Sequence, residues 1–246
     1  MSWGKRALPL AATALALPAL VSGCRLVDSH WQLIEAEPGY VPLTEATFAD
    51  AITEAMFRHP TMHLEMEAGV GTMSMDVRYG ATDDDLAMTG TYDDGVTVGE
   101  MTIVDGEAYF RDEGERIYFQ LPDYLVDQVL AEMSMGSPAE MASTFESGIE
   151  TLEYGASHEV EYGMTHRYDV RMRKEFLADE LDVPIERVPD VTYRLWLDDH
   201  NLLRRMIVVA MGETVDATFS EWGEPVTIEA PPPGQVEPLP VPTDDV

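Results

Sequence analysis

Alternating apolar and polar residues, the period expected of β-strands, cover most of the chain after residue 60. The clearest case is residues 191–209, where two apolar-rich runs flank the polar break at 198–201. Alternation at period two turns one set of side chains towards a core or cavity and the other towards water. Asn201 ends the break, and asparagine tolerates the positive φ that such a turn requires. The pattern therefore predicts a β-hairpin.

The same alternation predicts nine further short strands and brings the count to about eleven. They comprise six strands within 61–121, two within 152–174 and one within 213–222. Asp94-Gly95 and Asp105-Gly106 predict two-residue hairpin turns in which both residues have positive φ. Gly99 predicts a bulge, a common means of curving a sheet. Short strands joined by tight turns favour an antiparallel meander.

The residues before the first strands change to a helical period. Thr44 is a favoured N-cap, and Leu43 and Phe48 occupy the N′ and N4 positions of a hydrophobic staple. Phe48, Ile52 and Met56 then recur every four residues. Such a stripe packs against a sheet, and Pro60 ends the predicted helix.

Further helices are predicted between and after the first strands. One follows Pro122, with an apolar face of Leu121, Leu125 and Val129. The next opens with Ser137-Pro138-Ala139-Glu140, a capping box with proline at the first helical position. Its apolar stripe is Met141, Phe145 and Ile149. Residues 176–190 predict a short helix and a loop.

Two motifs near the C-terminus resemble a known family. They are Trp196-Leu-Asp-Asp-His-Asn-Leu-Leu-Arg-Arg205 and Phe219-Ser-Glu-Trp-Gly-Glu-Pro-Val-Thr-Ile-Glu-Ala-Pro231. This stretch resembles the C-terminal end of actinobacterial lipoproteins of the LppX/LprA/LprF/LprG group, although relatives often carry glycine where Asn201 stands. The resemblance implies an α+β fold: a curved antiparallel β half-barrel with about three helices on its concave side, as in the LolA and LolB carriers. It also implies a lipid-sized cavity.

The N-terminus has the parts of a secretory signal. Lys5 and Arg6 precede an apolar run over residues 7–21, which ends in Val21-Ser22-Gly23-Cys24. This ending matches the bacterial lipobox, so residues 1–23 are predicted to be a lipoprotein signal peptide and Cys24 to be lipidated. An ordinary cleaved signal with an incidental cysteine is the alternative. A diacylglyceryl anchor would hold the protein at the extracytoplasmic face of the cell membrane.

The mature chain is predicted to have three parts. Residues 24–42, which contain two prolines and a glycine, form a membrane tether. Residues 43–230 form one LolA-like lipid-binding domain. Residues 231–246, rich in proline and aspartate, form an extended and poorly ordered tail. A monomer is expected. Cys24 is the only cysteine, so a disulfide within the chain is impossible.

The chain is strongly acidic. It has 46 acidic and 15 basic residues, a formal net charge of −31. Such a surface repels nucleic acids over a Debye length of about 8–10 Å, so DNA and RNA are excluded as partners. The scarcity of lysine is compatible with a high-salt habitat or with a GC-rich genome, and composition does not separate the two.

Sequence patterns of catalysis and of metal binding are missing. The chain has no nucleophile elbow, phosphate-binding glycine loop or paired-histidine zinc motif. The aspartates at 83–85 and 198–199 are interpreted as solvated turns, because neither has the spacing of a calcium loop. His59 and His63 are separated by a proline, and His166 is interpreted as a core residue. No catalytic residue, metal or cofactor is predicted.

Methionine is the most suggestive residue type, because it lies mostly on the apolar side of the strands. The predicted ligand-cavity residues are Leu64, Met66, Met73, Met75, Val77, Met88, Met101, Ile103, Tyr168, Val170, Met172, Leu195, Met206 and Val208. Methionine is flexible and suits variable apolar ligands, but it also fills ordinary cores. The residues leave both interpretations open, and the resemblance adds weight to a cavity for acyl chains.

The functional prediction is a membrane-anchored, extracytoplasmic lipoprotein that binds or carries lipids or lipidated glycoconjugates. It is not expected to be an enzyme. One alternative is an envelope sensor that binds a protein partner in the same groove. Another is a structural surface lipoprotein with a closed core. Only a carboxylate or histidine cluster inside the cavity would favour the hypothesis that the protein is an enzyme.

Overall fold

Thirteen strands form one open sheet that carries helices on one side. The strands are β1 (Gln32–Ile34), β2 (Thr61–Ala68), β3 (Gly71–Arg78), β4 (Ala87–Asp93), β5 (Val98–Val104), β6 (Glu107–Asp112), β7 (Tyr118–Gln120), β8 (Ile149–Val160), β9 (Gly163–Met172), β10 (Val191–Asp198), β11 (Leu203–Ala210), β12 (Glu213–Ser220) and β13 (Val236–Pro238). The helices are α1 (Glu45–Arg58), α2 (Pro138–Gly148) and α3 (Lys174–Glu180). This computed structural model describes residues 32–34, 39–80, 85–126, 138–160, 163–180 and 183–240.

The strands follow two meanders joined side by side. The order across the sheet is β1-β8-β9-β10-β11-β12-β2-β3-β4-β5-β6-β7-β13. All neighbours are antiparallel except β13, which lies parallel to β7. The predicted half-barrel with helices on its concave side is confirmed. The count of about eleven strands was too low, because the short edge strands β1 and β13 were not foreseen.

The turns confirm some predictions of the sequence and correct others. Asn201 has φ +62°, and Asp105 and the glycine after it are also left-handed, as predicted. The hairpin predicted at Asp94-Gly95 forms between β4 and β5, but its connection is a four-residue loop, 94–97, so the predicted two-residue turn was wrong. In that loop the Asp94 carboxylate accepts the backbone N–H groups of the two residues at 96 and 97.

Gly99 lies in a regular stretch of the ladder, so the predicted bulge was also wrong. It pairs with Tyr92 on β4 and with Asp112 on β6 without a shift in register. Its role is close approach, because a Cβ atom there would lie 2.7 Å from the Tyr92 hydroxyl and from the Arg111 carbonyl oxygen. A small residue is therefore required here by packing.

Helix α1 begins and ends as its sequence predicts. Thr44 is the N-cap, and its backbone N–H donates to Thr47 Oγ1 over 3.0 Å. The helix ends just before His59-Pro60, where proline prevents continuation. The buried side of α1 is Phe48, Ala49, Ile52, Ala55 and Met56.

The other helices match their predictions where the structure describes them. Residues 123–126 are helical, whereas Val129 and Ser137 lie outside the described residues. Helix α2 contains Met141 and Phe145, but Ile149 already belongs to β8. Helix α3 and a short 3₁₀ turn, Ile185–Arg187, occupy the stretch predicted as a short helix and a loop.

Apolar side chains pack on both faces of the sheet. The main cluster joins the inner face of the strands to α1, α2 and α3. A smaller cluster on the outer face of β4–β6 consists of Ala87, Val104, Tyr109 and Ile228. Ile228 comes from the segment after β12, so the C-terminal part of the chain covers the outer face at that end.

Two short segments outside residues 43–230 pair with the edges of the sheet. Residues 32–34 of the predicted tether pair with β8 at one edge of the sheet. Residues 236–238 of the predicted tail pair with β7 at the other edge. Backbone pairing adds these segments to the sheet, although neither sequence has an alternating pattern. Residues 241–246, and Cys24 with the leader, lie outside the described residues.

Candidate functional site

The predicted ligand-cavity residues converge on the inner face of the half-barrel. Ten of them are buried in the main cluster: Leu64, Met75, Val77, Met88, Met101, Ile103, Tyr168, Val170, Met172 and Leu195. Met66, Met73 and Met206 are partly buried and pack against it. Val208 is half-buried and is not a member of the cluster. The strands thus supply one continuous apolar surface.

Two helices cover this surface. Phe48 of α1 is completely buried and makes edge-to-face contacts with Phe145 of α2 and Tyr168 of β9, each with ring centroids 5.5 Å apart. Thr53 Oγ1 donates to the Pro138 carbonyl oxygen over 3.4 Å, which joins α1 to the start of α2. The helices and the sheet therefore enclose the apolar interior between them.

A polar cluster lies on the same inner face, at one end of β8, β9 and β10. The residues of this polar cluster are Tyr40, Tyr154, Ser157, His166, Tyr168 and Asp199. Tyr154 pairs with Tyr168 and Ser157 pairs with His166 across β8 and β9. A bulge between Tyr154 and residue 156 adds one residue, so Tyr154 and Ser157, three positions apart, both face inwards.

His166 is the centre of the polar cluster. It has no exposed surface, and Nε2 lies 3.0 Å from the carboxylate Oδ1 of Asp199. Since an ionised carboxylate only accepts hydrogen bonds, Nε2–H is the donor. In the tautomer that carries its proton on Nε2, Nδ1 accepts from the Ser157 hydroxyl over 3.1 Å. The Tyr154 hydroxyl lies 2.7 Å from Ser157 Oγ and continues the chain of hydrogen bonds.

Tyr40 packs against the other residues of the polar cluster. Its ring stacks on the His166 ring with centroids 3.4 Å apart and planes 6° apart. Its hydroxyl bonds to that of Tyr168, which also accepts the Leu43 backbone N–H over 2.9 Å. Burial raises the pKa of Tyr40 and of Tyr168, so both phenols stay protonated at neutral pH. These contacts tie the segment before α1 to the sheet.

Ser157, His166 and Asp199 follow the order of a nucleophile, a base and a carboxylate. Ser157, however, is completely buried, and its hydroxyl is already bonded to Tyr154. A nucleophile must be able to reach the reacting atom of a substrate. In this arrangement the three residues form a hydrogen-bonded relay that offers hydroxyl and imidazole groups.

The structure corrects the interpretation of Asp198 and Asp199 as solvated turn residues. Asp198 is not a solvated turn residue: it is buried, accepts the backbone N–H groups of residues 200 and 202, and pairs with Arg204. Asp199 is more than half exposed but reaches back to His166. His166 could be found from the sequence, because alternation along β9 places it on the inner face. Ser157 could not, because only the bulge in β8 turns it inwards. Tyr40 was missed because it lies in the segment predicted to be a tether.

The hollows on the described part of the surface include two that lie on the sheet. One of about 280 Å³ lies across β2, β3 and β4 and is lined partly by Met66 and Met73. The other, of about 210 Å³, is formed by threonines and charged residues of β8, β9 and β10. Both are separate from the polar cluster. Among the described residues, the inward-facing side chains of the strands pack against those of α1, α2 and α3.

The described residues contain neither a cluster of metal ligands nor a membrane-spanning helix. His63 bonds to the Asp76 carboxylate and to Ser74, and does not pair with His59. Within the described ranges, no three His, Cys, Asp or Glu side chains come together as metal ligands. None of the helices in these ranges is long and apolar enough to cross a membrane.

Solved structures share the fold of this chain. The chain is similar to LprF from Mycobacterium bovis, with a TM-score of 0.55 and 15% identity over 80% of this chain and 99% of that one. It is also similar to lipoprotein LppX from Mycobacterium tuberculosis, with a TM-score of 0.55 and 13% identity over 75% and 98%. A LolA superfamily protein from Nitrosomonas europaea is more distant, with a TM-score of 0.37 and 10% identity over 78% and 96%.

No family model matches the sequence, and no curated protein matches it either. At these identities the similarity concerns the fold. The chain has the half-barrel fold of the LprF and LppX lipoproteins.

Proposed function

We propose that this protein is a lipid-anchored, extracytoplasmic carrier that binds lipids or lipidated glycoconjugates between its sheet and its helices. The observation that carries the proposal is the continuous apolar inner face, rich in methionine, beneath α1 and α2. The fold likeness to LprF and LppX supports it. No catalytic step is required of such a protein.

Binding would require the helices to move away from the sheet. Acyl chains would then take the place of the contacts that Phe48 makes with Tyr168 and the strands. Burial of hydrocarbon contributes ~25 cal/mol per Å², which offsets the cost of opening. Methionine side chains can adapt to acyl chains of different shape.

The predicted lipidation of Cys24 would keep the carrier at the membrane that supplies its ligand. β1 begins at Gln32, only a few residues after this cysteine. An anchor there would hold the β1 edge of the sheet close to the lipid surface. Lipids would then pass between the membrane and the interior without crossing water.

Bulky substitution inside the half-barrel tests this proposal. Replacing Met206 with Trp should lower uptake of a fluorescent diacylglycerol several-fold, because the indole occupies acyl-chain space. Met75→Trp should act in the same way, although overpacking a fully buried site costs about 1–3 kcal/mol. Val209→Trp, on the exposed side of β11, is the matched control. Unchanged uptake by a folded M206W protein would contradict the proposal.

A structural lipoprotein with a closed core is the second candidate. It is favoured by one observation: Phe48, Val77 and Met88 have no exposed surface. In that case neither Trp variant would affect lipid uptake, because wild-type protein would take up none. The same assay therefore distinguishes the two candidates.

A further inference from the structure

A site that binds only apolar groups would not need the polar cluster. Burying polar groups costs free energy unless they are hydrogen-bonded, and an apolar residue at each position would avoid that cost. Here a histidine, a serine and three tyrosines lie on the inner face beside the apolar cluster. Leu195 and Leu197 of β10, which pair with Tyr168 and His166, continue the apolar surface on their other side. The cluster therefore borders the interior that the proposed function assigns to acyl chains.

We propose that the polar cluster is the subsite for the polar head of the ligand and that Tyr40 is a plug that ligand binding displaces. This inference rests on the proposed function and adds to it the chemical class of the head. In ligand sites, a few well-placed polar groups fix orientation and specificity within an apolar pocket. Ser157, His166 and Tyr154 are such groups.

The contacts of Tyr40 show what the subsite could hold. The Tyr40 ring contacts both the His166 ring, with centroids 3.4 Å apart, and the Tyr154 ring, with centroids 5.6 Å apart. Its hydroxyl meets the Tyr168 hydroxyl. Withdrawal of this side chain would leave a space the size of one six-membered ring, with hydroxyl and imidazole groups at its border. The Tyr40 side chain thus occupies the space that a hydroxyl-bearing ring of the ligand would take.

Displacement of Tyr40 is coupled to opening of the helix layer. Tyr40 and Leu43 are both held by the Tyr168 hydroxyl, and Thr44, the N-cap of α1, follows directly. Phe48, in the first turns of α1, contacts the Tyr168 ring. A ligand head that replaces Tyr40 on Tyr168 therefore loosens the attachment of α1 at the place where acyl chains would enter.

The chemistry of the cluster selects an uncharged, hydroxyl-bearing head. Hydroxyl and imidazole groups donate and accept hydrogen bonds, and so suit a sugar or a glycerol unit. Asp199 brings a carboxylate to the cluster, and the whole chain carries a net charge of −31. Both repel a phosphate. A neutral glycolipid is thus favoured over an anionic phospholipid with the same acyl chains.

The test compares three oleoyl lipids, two with two chains and one with three, on the full chain carrying C24S, so that no anchor is attached. They are monogalactosyldiacylglycerol, phosphatidylglycerol and triolein, each titrated by quenching of intrinsic fluorescence and by native mass spectrometry. The galactolipid should bind about tenfold more tightly than phosphatidylglycerol. Ser157→Ala should weaken galactolipid binding about tenfold and leave triolein binding unchanged. Ser74→Ala, on the outer face, is the matched control.

Tyr40 variants test the plug separately and keep the proposal testable if Ser157→Ala does not fold. Tyr40→Ala should raise galactolipid affinity several-fold, because the plug no longer competes. Tyr40→Phe, which loses only the bond to Tyr168, should have a smaller effect in the same direction. Tyr124→Ala, at an exposed tyrosine, is the control.

Each result decides between the two proposals. Equal binding of all three lipids, unaffected by the Tyr40 and Ser157 variants, would overturn the subsite and leave the carrier function intact. Failure of the folded protein to bind any of the three would overturn both. Hydrolysis of the galactolipid that S157A abolishes would instead assign the relay to catalysis and overturn the subsite as a binding device.

Discussion

Single atoms decide how closely neighbouring strands pack in this sheet. A Cβ atom at Gly90 of β4 would lie 2.0 Å from the Ser74 carbonyl oxygen and 2.7 Å from Met75 Cα. Both are backbone atoms of β3, which cannot rotate away. Only glycine fits this position without a shift of the strand.

Gly90→Ala should therefore destabilise the protein by about 2–3 kcal/mol, the upper part of the range for single substitutions. The free energy of unfolding, measured by chemical denaturation, checks this. Gly234→Ala, where a Cβ atom would meet nothing within 4 Å, should change stability by less than about 0.5 kcal/mol. Equal effects of the two substitutions would refute the packing argument.

His158 makes folding depend on pH through its burial. It lies on the outer face, where its ring meets that of Trp196 edge-on with centroids 6.2 Å apart. Burial lowers the pKa of His158 below 6.5, and Arg167 lowers it further. The unfolded chain therefore binds a proton more readily than the folded one. Stability from the neutral imidazole is present above pH 6.5 and is lost as pH falls through the lower folded pKa.

His158→Gln should remove this dependence. The stability difference between wild type and variant, measured by denaturation at about pH 7.5 and about pH 5, should shift in favour of the variant at the lower pH. Taking a difference cancels the titration of the many shared carboxylates. A difference independent of pH would contradict the assignment.

At the level of elements, the sequence predicted those whose pattern is local. The β10–β11 hairpin and α1 were foreseen because parity, turn residues and caps lie within the element itself. β1 and β13 were missed because three-residue edge strands have no periodicity, and only the neighbouring strand defines them. The apolar interior could be predicted from the alternation along the strands. The polar cluster could not, because the β8 bulge and the packing of Tyr40 against the sheet depend on the tertiary fold.

Loosening α1 should ease entry into the interior. Ile52→Ala removes a side chain buried against the sheet and should cost about 2–5 kcal/mol. Val104→Ala removes one from the outer-face cluster and serves as the control. The initial rate of diacylglycerol uptake, followed by stopped-flow fluorescence, should rise with I52A and stay unchanged with V104A. Similar rates in both variants would show that α1 is not the moving part.

At the scale of the whole molecule, a half-barrel combines an acidic exterior with an apolar interior. The net charge of −31 repels anionic surfaces, and this repulsion is screened within about 8–10 Å at ordinary salt. Attraction to membrane lipids would therefore have to come from the proposed anchor at Cys24 and from the interior itself. Both belong to the proposal of a carrier of neutral lipids.

Native mass spectrometry of residues 25–246, purified from the native host without detergent, tests this central claim most directly. The account predicts a discrete added mass that extracts into organic solvent and fragments as a lipid with an uncharged head. Met206→Trp should reduce the occupied fraction. A clean mass of the bare chain, with no uptake from added neutral lipids, would contradict the account and favour a closed structural core.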